Sequence, residues 1–420
     1  MKKKFIKKIN SFVQINSLNK KTEYIKYDDE LLKACSAELL LENQDFKYSY
    51  TDYKNELKEK KAYILELFKE DLKSNPQLLK NYQLYAMNEF EYKNYRHKAV
   101  LSATNLGNML KLGLYKPKSK TVKPLLDSIY HDEQINLLFK ELEKILNKYK
   151  IKAYDDKTKT GSLKHVFIRK SEFEKTFSII FCVNAKTGLP GSKDICNEIL
   201  LTNKNIGNIV LNLQKEHTKF VLNGDSKTLF GSGFLFEKVL EYKLRFSVES
   251  FLQVNPKMMN QLYKYIDDFF TKKQVKGVLL DLFCGSGAIG LSVGKNFDKL
   301  VGYEVNKKAI IDAKYNASVN GFKNTKFVEF NCSMPLQRND EKIDVIILDP
   351  TRDGLSLSFM ESVVKLSPKL IVFIGCDANH QKNNCLYFKN KDYKIIHLAT
   401  FDMFPLTNHV ENLIVLEKRL

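Results

Sequence analysis

An apolar run, Val278-Leu279-Leu280-Asp281-Leu282-Phe283, feeds straight into Cys284-Gly285-Ser286-Gly287-Ala288-Ile289-Gly290. A glycine-rich turn after a strand lets a ligand approach the backbone, and a G-x-G of this kind suits a dinucleotide, a methyl donor or simply a tight turn. The next strand ends in Gly302-Tyr303-Glu304, setting a carboxylate where a ribose could donate hydrogen bonds to it, as in nucleotide and S-adenosylmethionine sites alike. Asn316-Ala317-Ser318-Val319-Asn320-Gly321 closing a helix, then Asn331, then Asp349-Pro350, tilt the choice to the methyl donor. Two further groups could do chemistry: Cys376 at a strand end, ordinarily core filler, and Glu411 before an apolar strand, ordinarily a solvated edge residue.

These residues need a scaffold, and from about Asn260 onward apolar strands alternate with helices at the spacing of a doubly wound parallel sheet. Strands are expected at Gly277 to Phe283, Lys299 to Glu304, Thr325 to Phe330, Asp344 to Asp349, Lys369 to Gly375, Tyr393 to Thr400 and Val410 to Glu417, with helices at Lys307 to Asn320 and Leu355 to Leu366. Gly285, Glu304, Asp349 and Cys376 all follow carboxyl ends of such strands, where doubly wound sheets hold ligands. Upstream, short β-rich runs such as Phe177 to Val183 and Ile209-Val210-Leu211, interrupted by a helical stretch near Glu133 to Lys150, read as a mixed α+β domain. The glycine-free start, with helical spacing from Tyr53 to Lys73, reads as a basic helical or irregular arm. The expected organisation is an arm over 1–94, an α+β RNA-binding domain over 95–245, and a seven-stranded Rossmann-like α/β domain over 246–420.

The chain has 420 residues, enough for two or three cores, and its 44% hydrophobic and 28% charged content is that of a globular protein. No stretch approaches the roughly 20 uncharged apolar residues of a membrane span, and Met1-Lys2-Lys3-Lys4-Phe5-Ile6-Lys7-Lys8 leads into no signal-like apolar run, so the expected address is the cytoplasm, with no membrane partner. Lys and Arg number 68 against 49 Asp and Glu, and an excess of +19 calls for an acidic partner, nucleic acid above all, although Lys-rich coding by an AT-rich genome would leave the same trace. The cysteines at 35, 182, 196, 284, 332, 376 and 385 form no C-x-x-C pair, so thiols in a reducing compartment are expected, and neither a metal nor an iron–sulfur cluster.

Five segments in fixed order resemble the bacterial RNA uracil-5-methyltransferase family: Ser250-Phe251-Leu252-Gln253-Val254-Asn255, Asp281 to Gly287, Asp349-Pro350-Thr351-Arg352-Asp353-Gly354-Leu355, the strand ending at Cys376, and Asp402-Met403-Phe404-Pro405 followed by His409-Val410-Glu411. Weaker likeness continues through Tyr95-Arg96-His97-Lys98 and Gly161-Ser162-Leu163-Lys164-His165. The resemblance implies that Gln253, Phe283, Gly285, Glu304, Asn331 and Asp349 surround S-adenosylmethionine, that Cys376 is the nucleophile, and that Glu411 is the base. It also implies that the last strand runs antiparallel beside the fifth, bringing Glu411 to the edge that holds Cys376. The long central domain favours the branch acting on 23S ribosomal RNA over transfer RNA, in a monomer, and Tyr95, Arg96 and Lys98 are the expected RNA contacts.

The implied reaction needs such a pair. Carbon 5 of uracil is too poor a nucleophile to take a methyl group until a thiolate adds at carbon 6, and a carboxylate must then remove the carbon 5 proton before the sulfur can leave. Basic surroundings would favour the thiolate. Five positions depart from the family pattern: Gly375, Asp377 and Ala378, in Gly375-Cys376-Asp377-Ala378 where Ser-Cys-Asn-Pro is usual, Thr351 where a second proline is usual, and Ala288 where Asn is common. Asp377 is expected to raise the neighbouring thiol's pKa. Only Cys35 occupies the region where many relatives carry four clustered cysteines, and the first 30 residues look too short for the small β-barrel some relatives carry.

Rival readings explain fewer residues. A silent RNA-binding relative would have no use for both Cys376 and Glu411, and a nicotinamide-dependent dehydrogenase would leave Asp349-Pro350 and the late Cys and Glu without a role. Methylation of an amino group would want an aromatic residue after Asp349-Pro350, where Thr351-Arg352 offers none.

Overall fold

The structure, a computed structural model, describes residues 53–419 apart from 117, 118, 120, 216–221, 223, 337–340 and 353. Cys35, Asp353 and the basic arm as far as residue 52 lie outside the described residues. Helices α1 (Tyr53–Leu67), α2 (Lys69–Ser74) and α3 (Pro76–Asn81) lead into a short strand, β1 (Gln83–Tyr85). Helical spacing suggests that these residues belong to a separate arm, yet they pack on the C-terminal sheet. Ile64, Phe68, Leu72 and Leu78 share a core with Phe359, Phe373 and Phe388, an apolar face that an isolated arm would have left in water.

The central domain is built from β2 (Lys98–Leu106), β3 (Met109–Tyr115), β4 (Val122–Pro124), α4 (Glu133–Lys148), β5 (Leu163–Lys170), β6 (Phe177–Asn184), α5 (Ser192–Thr202), β7 (Ile206–Gln214) and β8 (Asp225–Phe230). Its seven strands run in the order β4-β3-β2-β5-β6-β7-β8, with β6 and β7 parallel across α5 and the other pairs antiparallel. Asp132 caps α4 by accepting from Gln134 N, and Ile135, Leu138, Phe139, Leu142, Ile145 and Leu146 give that helix one apolar stripe against the sheet. A hairpin, β9 (Phe234–Val239) and β10 (Tyr242–Ser247), follows.

The C-terminal domain contains α6 (Pro256–Lys273), β11 (Val278–Leu282), α7 (Ala288–Val293), β12 (Lys299–Glu304), α8 (Lys307–Val319), β13 (Thr325–Glu329), β14 (Val345–Leu348), α9 (Leu357–Leu366), β15 (Leu370–Gly375), α10 (Ala378–Lys389), β16 (Tyr393–Phe401) and β17 (Glu411–Lys418). The sheet order is β1-β16-β17-β15-β14-β11-β12-β13, and every pair is parallel except those made by β17. Seven strands match the expected set, and β1, pairing Gln83 to Tyr85 with Ala399 to Phe401, makes an eighth. Alternate residues feed opposite cores: Leu279, Val345, Ile347 and Val372 meet α6 through Met258, Leu262 and Ile266, while Leu280, Ile346, Leu348 and Phe373 meet α9 and α10. Burial on both faces is why these strands read as unbroken apolar runs. The β9–β10 hairpin is fixed to α8, whose Asp312 accepts from Arg245 Nε at 2.9 Å and Ser247 N at 2.6 Å, and whose Asn316 accepts from Arg245 N at 2.7 Å.

Candidate active site

The turn after β11 is open by construction. Phe283, Gly285 and Gly287 adopt φ of 64°, 53° and 79°, and a Cβ at Gly285 would project into space with no protein atom within 4 Å. Gly285 N donates to Glu304 Oε2 at 3.1 Å and Asn306 N to Oε1 at 2.8 Å, so the carboxylate that ends β12 is tied to the turn that ends β11. Beneath it, Asp281 is fully buried. Its Oδ2 accepts from Gly290 N at 2.9 Å, its Oδ1 has no hydrogen-bond partner among the described residues, and burial, with Asp349 and Glu304 adding to it, pushes its pKa up to about 8.

Gln253 is 7% exposed and makes no hydrogen bond among the described residues. Its segment is pinned on both sides, since Arg169 Nη2 donates to Ser250 O at 2.6 Å and Asn255 caps α6 by accepting from Met258 N at 3.3 Å. Phe283 is half-buried against the Phe359 ring, with centroids 5.7 Å apart. Asn331 stands exposed beyond β13, its Oδ1 accepting from Ser333 N and Oγ at 2.9 and 2.7 Å. Gly285, Glu304, Asn331, Asp349 and Cys376 thus follow the carboxyl ends of β11, β12, β13, β14 and β15 along one edge. An unsatisfied buried carboxylate oxygen, a side-chain amide with no hydrogen bond among the described residues and an open glycine turn form a donor and acceptor set suited to an amino-acid-bearing nucleoside.

The same edge carries the sulfur and the late carboxylate. Gly375 of β15 pairs with Asn412 of β17, so the next residues outward, Cys376 and Glu411, stand opposite each other at the ladder's end. Cys376 is half-buried and Glu411 is 2% exposed. Burial raises the Cys376 thiol to about 11, helped by Glu411 and Asp349, while the charge and hydrogen bond of Arg352 pull it down. The surroundings therefore hold the thiol protonated, contrary to the lowering expected of a basic site. Asp377, expected to raise it, caps α10 by accepting from His380 N at 3.0 Å, and the carboxylates acting on the sulfur are Glu411 and Asp349. Glu411 is itself pushed well above the carboxylate range by burial and then by Asp349, with Arg352 opposing, and burial raises Asp349 to about 7. Two carboxylates in one dry site resist losing both protons.

Sequence reasoning left several participants unassigned. Arg352 follows Asp349 by three residues, a spacing that could have flagged it. Tyr263, buried on α6, faces the charges of Asp349, Asp281 and Glu411, and nothing in its helical context announces that role. Of the three expected RNA contacts, Tyr95 lies in the core at 4% exposure with its hydroxyl unpartnered, while Arg96 and Lys98 are half-buried. Burial, with Arg169 and Arg96 nearby, lowers Lys98 to about 7, and its Nζ lies 5.0 Å from the centroid of the exposed Phe251 ring. Arg169 and Phe251 thus join a cationic and aromatic cluster beside the segment that carries Gln253. No metal-binding group of three or more His, Cys, Asp or Glu occurs among the described residues, and none of their helices is long and apolar enough to cross a membrane.

A family model described as tRNA (Uracil-5-)-methyltransferase matches residues 234–419. An uncharacterised RNA methyltransferase of Oceanobacillus iheyensis is 30% identical over 325 residues, covering 76% of this chain and 70% of its own. One from Clostridium acetobutylicum is 28% identical over 331 residues, covering 77% and 71%. The crystal structure of a Pyrococcus abyssi tRNA (uracil-54, C5)-methyltransferase in complex with S-adenosyl-L-homocysteine superposes with a TM-score of 0.69 at 19% identity, over 88% of this chain and 84% of that one, which shows a shared fold.

Proposed function

Because the chain belongs to the S-adenosylmethionine-dependent RNA uracil-5-methyltransferase family, we propose that it methylates carbon 5 of a uridine through a covalent adduct between Cys376 and carbon 6, with Glu411 as the base. The observation that carries this reading is the β15–β17 register, which sets Cys376 and Glu411 opposite each other at the ligand-bearing edge. Gln253, Phe283, Gly285, Glu304, Asn331 and Asp349 would hold S-adenosylmethionine, and Asp281 Oδ1 and the Gln253 amide, neither hydrogen-bonded among the described residues, are consistent with a ligand that brings its own donors and acceptors. That ligand supplies an electrophilic methyl group.

Arg352 stabilises the thiolate that adds to carbon 6, and the electrons pushed into the ring make carbon 5 nucleophilic. Once carbon 5 is methylated, Glu411 takes its remaining proton and the Cys376 sulfur leaves, restoring the ring. The burial that lifts the Glu411 pKa also makes its ionised form a stronger base. Arg96 and Lys98, with the buried Arg169 behind them, offer positive charge to phosphate, and Phe251 lies beside Lys98 to stack a base.

Two carboxylate-to-amide and thiol-to-methyl changes test the roles. Glu411→Gln is expected to methylate RNA yet remain attached to it on a denaturing gel, Cys376→Ala to form no adduct, and the double variant to behave like Cys376→Ala. An adduct surviving in Cys376→Ala would move the nucleophile elsewhere. The length of the central domain supports 23S ribosomal RNA as the substrate, and the enzyme is proposed to act as a monomer in the cytoplasm. Mass spectrometry of RNA from a deletion strain reads this directly: loss of 5-methyluridine from 23S RNA is expected, and loss from the transfer-RNA T-loop instead would reverse the assignment.

A further inference from the structure

One face of α1 carries Tyr53, Glu56, Lys60 and Tyr63, a spacing of three to four residues that aligns them in a single stripe. Tyr53, Glu56 and Lys60 are almost wholly buried, at 3%, 0% and 3% exposure. Lys60 Nζ lies 2.6 Å from Glu56 Oε1, 2.6 Å from Asp402 Oδ1 and 3.2 Å from Phe404 O. Tyr53 OH donates to Asp402 Oδ2 at 2.6 Å, and Glu56 Oε1 accepts from Leu406 N at 2.7 Å. These bonds end on the connection between β16 and β17, residues 402–410, which delivers the chain to Glu411. Three turns along the same helix, Tyr63 OH accepts from Asn379 Nδ2 at 2.7 Å, three residues after Cys376.

We propose that α1 is a positioning element for the nucleophile–base pair: Lys60, Glu56 and Tyr53 fix the loop that presents Glu411, and Tyr63 steadies the turn that follows Cys376. The proposal rests on the assignment of Cys376 and Glu411 given above. A buried ion pair costs desolvation on both partners, so apolar side chains would dock a helix at least as well, whereas directional bonds to named backbone atoms fix one loop conformation. Leu406, held through its own N–H, sits at φ 64°, a left-handed conformation uncommon outside glycine that the surrounding bonds must impose. Among the described residues Lys60 is the cation ion-paired with both Glu56 and Asp402, and Glu56 Oε2 has no hydrogen-bond partner there, so the cluster has little redundancy.

The reaction offers two separable readouts. RNA carrying 5-fluorouridine has no carbon 5 proton to lose, so its rate of trapping reports thiolate addition, while the adduct that accumulates on ordinary RNA reports failure of base-assisted release. In the full-length chain, Tyr53→Phe and Lys60→Met are expected to raise the steady-state adduct on ordinary RNA by about tenfold while fluorouridine trapping stays within about twofold of wild type. Tyr63→Phe is expected to slow trapping without accumulating adduct. A fall in both rates together, or no change in either, would overturn the positioning role, and the conservative Tyr53→Phe keeps the test open if Lys60→Met does not fold. Wild-type protein that fails to trap fluorouridine RNA at all would sink the nucleophile–base assignment itself, a result distinct from unaltered variants beside an active wild type.

Discussion

Cys376 sits among groups that act on its proton in opposite directions. Burial, Glu411 and Asp349 hold the proton on, and Arg352 works to release it. With the thiol raised to about 11, alkylation of Cys376 by iodoacetamide in the RNA-free protein should be slow at neutral pH and rise about tenfold for each pH unit below that value. Arg352→Gln removes the guanidinium that pulls the thiol down, so the thiol pKa rises further and alkylation at any fixed pH below it slows, by about tenfold for each pH unit the pKa rises. Peptide mass spectrometry isolates the signal, because Cys182, Cys196, Cys284, Cys332 and Cys385 are buried. Alkylation of Arg352→Gln at the wild-type rate would remove Arg352 from the activation of the sulfur.

At the scale of elements, the sheet edge that carries Gly285, Glu304 and Asn331 depends on how closely β11, β12 and β13 approach. Gly302 of β12 lies between Asp281 and Phe327 in the ladder, and a Cβ there would fall 2.5 Å from the Phe327 ring and 2.9 Å from Cys284 Sγ. Gly302→Ala should therefore destabilise the protein by about 1–3 kcal/mol in denaturant unfolding, the usual cost of overpacking a filled core. Because Glu304 follows two residues later on the same strand, calorimetry should show weakened S-adenosylmethionine binding as well. Unchanged stability would mean that Phe327 and Cys284 move aside freely.

At the scale of the molecule, the excess of +19 charges gains focus from one place where the central domain meets the C-terminal one. There Arg96, Lys98 and Arg169 crowd closely enough that Lys98 is lowered to about 7, burial leading and the two guanidinium charges following. Bringing phosphate to such a cluster relieves the repulsion and releases counterions. RNA affinity should fall steeply with salt, and Lys98→Gln should weaken binding and reduce the log–log salt slope by up to about one, measured at pH 6 where the amine is charged. At pH 8 the lysine is already largely neutral, so the variant should differ less from wild type. A salt slope equal to that of wild type at pH 6 would take Lys98 out of the phosphate contacts.

The sequence by itself determined the doubly wound sheet and the order of the turns at its carboxyl edge, because strands buried on both faces must be apolar throughout, as in Val278 to Leu282 and Val345 to Leu348, and because turns such as Cys284 to Gly287 need glycine where φ is positive. It also marked Cys376 and Glu411, once the antiparallel last strand was expected. Only the tertiary structure decided what surrounds them. The direction of the Cys376 pKa depends on burial, on Glu411, and on Asp349 and Arg352 of one loop, which come from two stretches of chain remote from Cys376 in sequence, and no local pattern reports that sum. The same holds for β1 and α1. Gln83-Leu84-Tyr85 is too short to be read as a strand, and the Lys60 to Asp402 pair joins residues 342 apart, so helical spacing near residue 60 registered as a charged arm until the fold brought Asp402 to it.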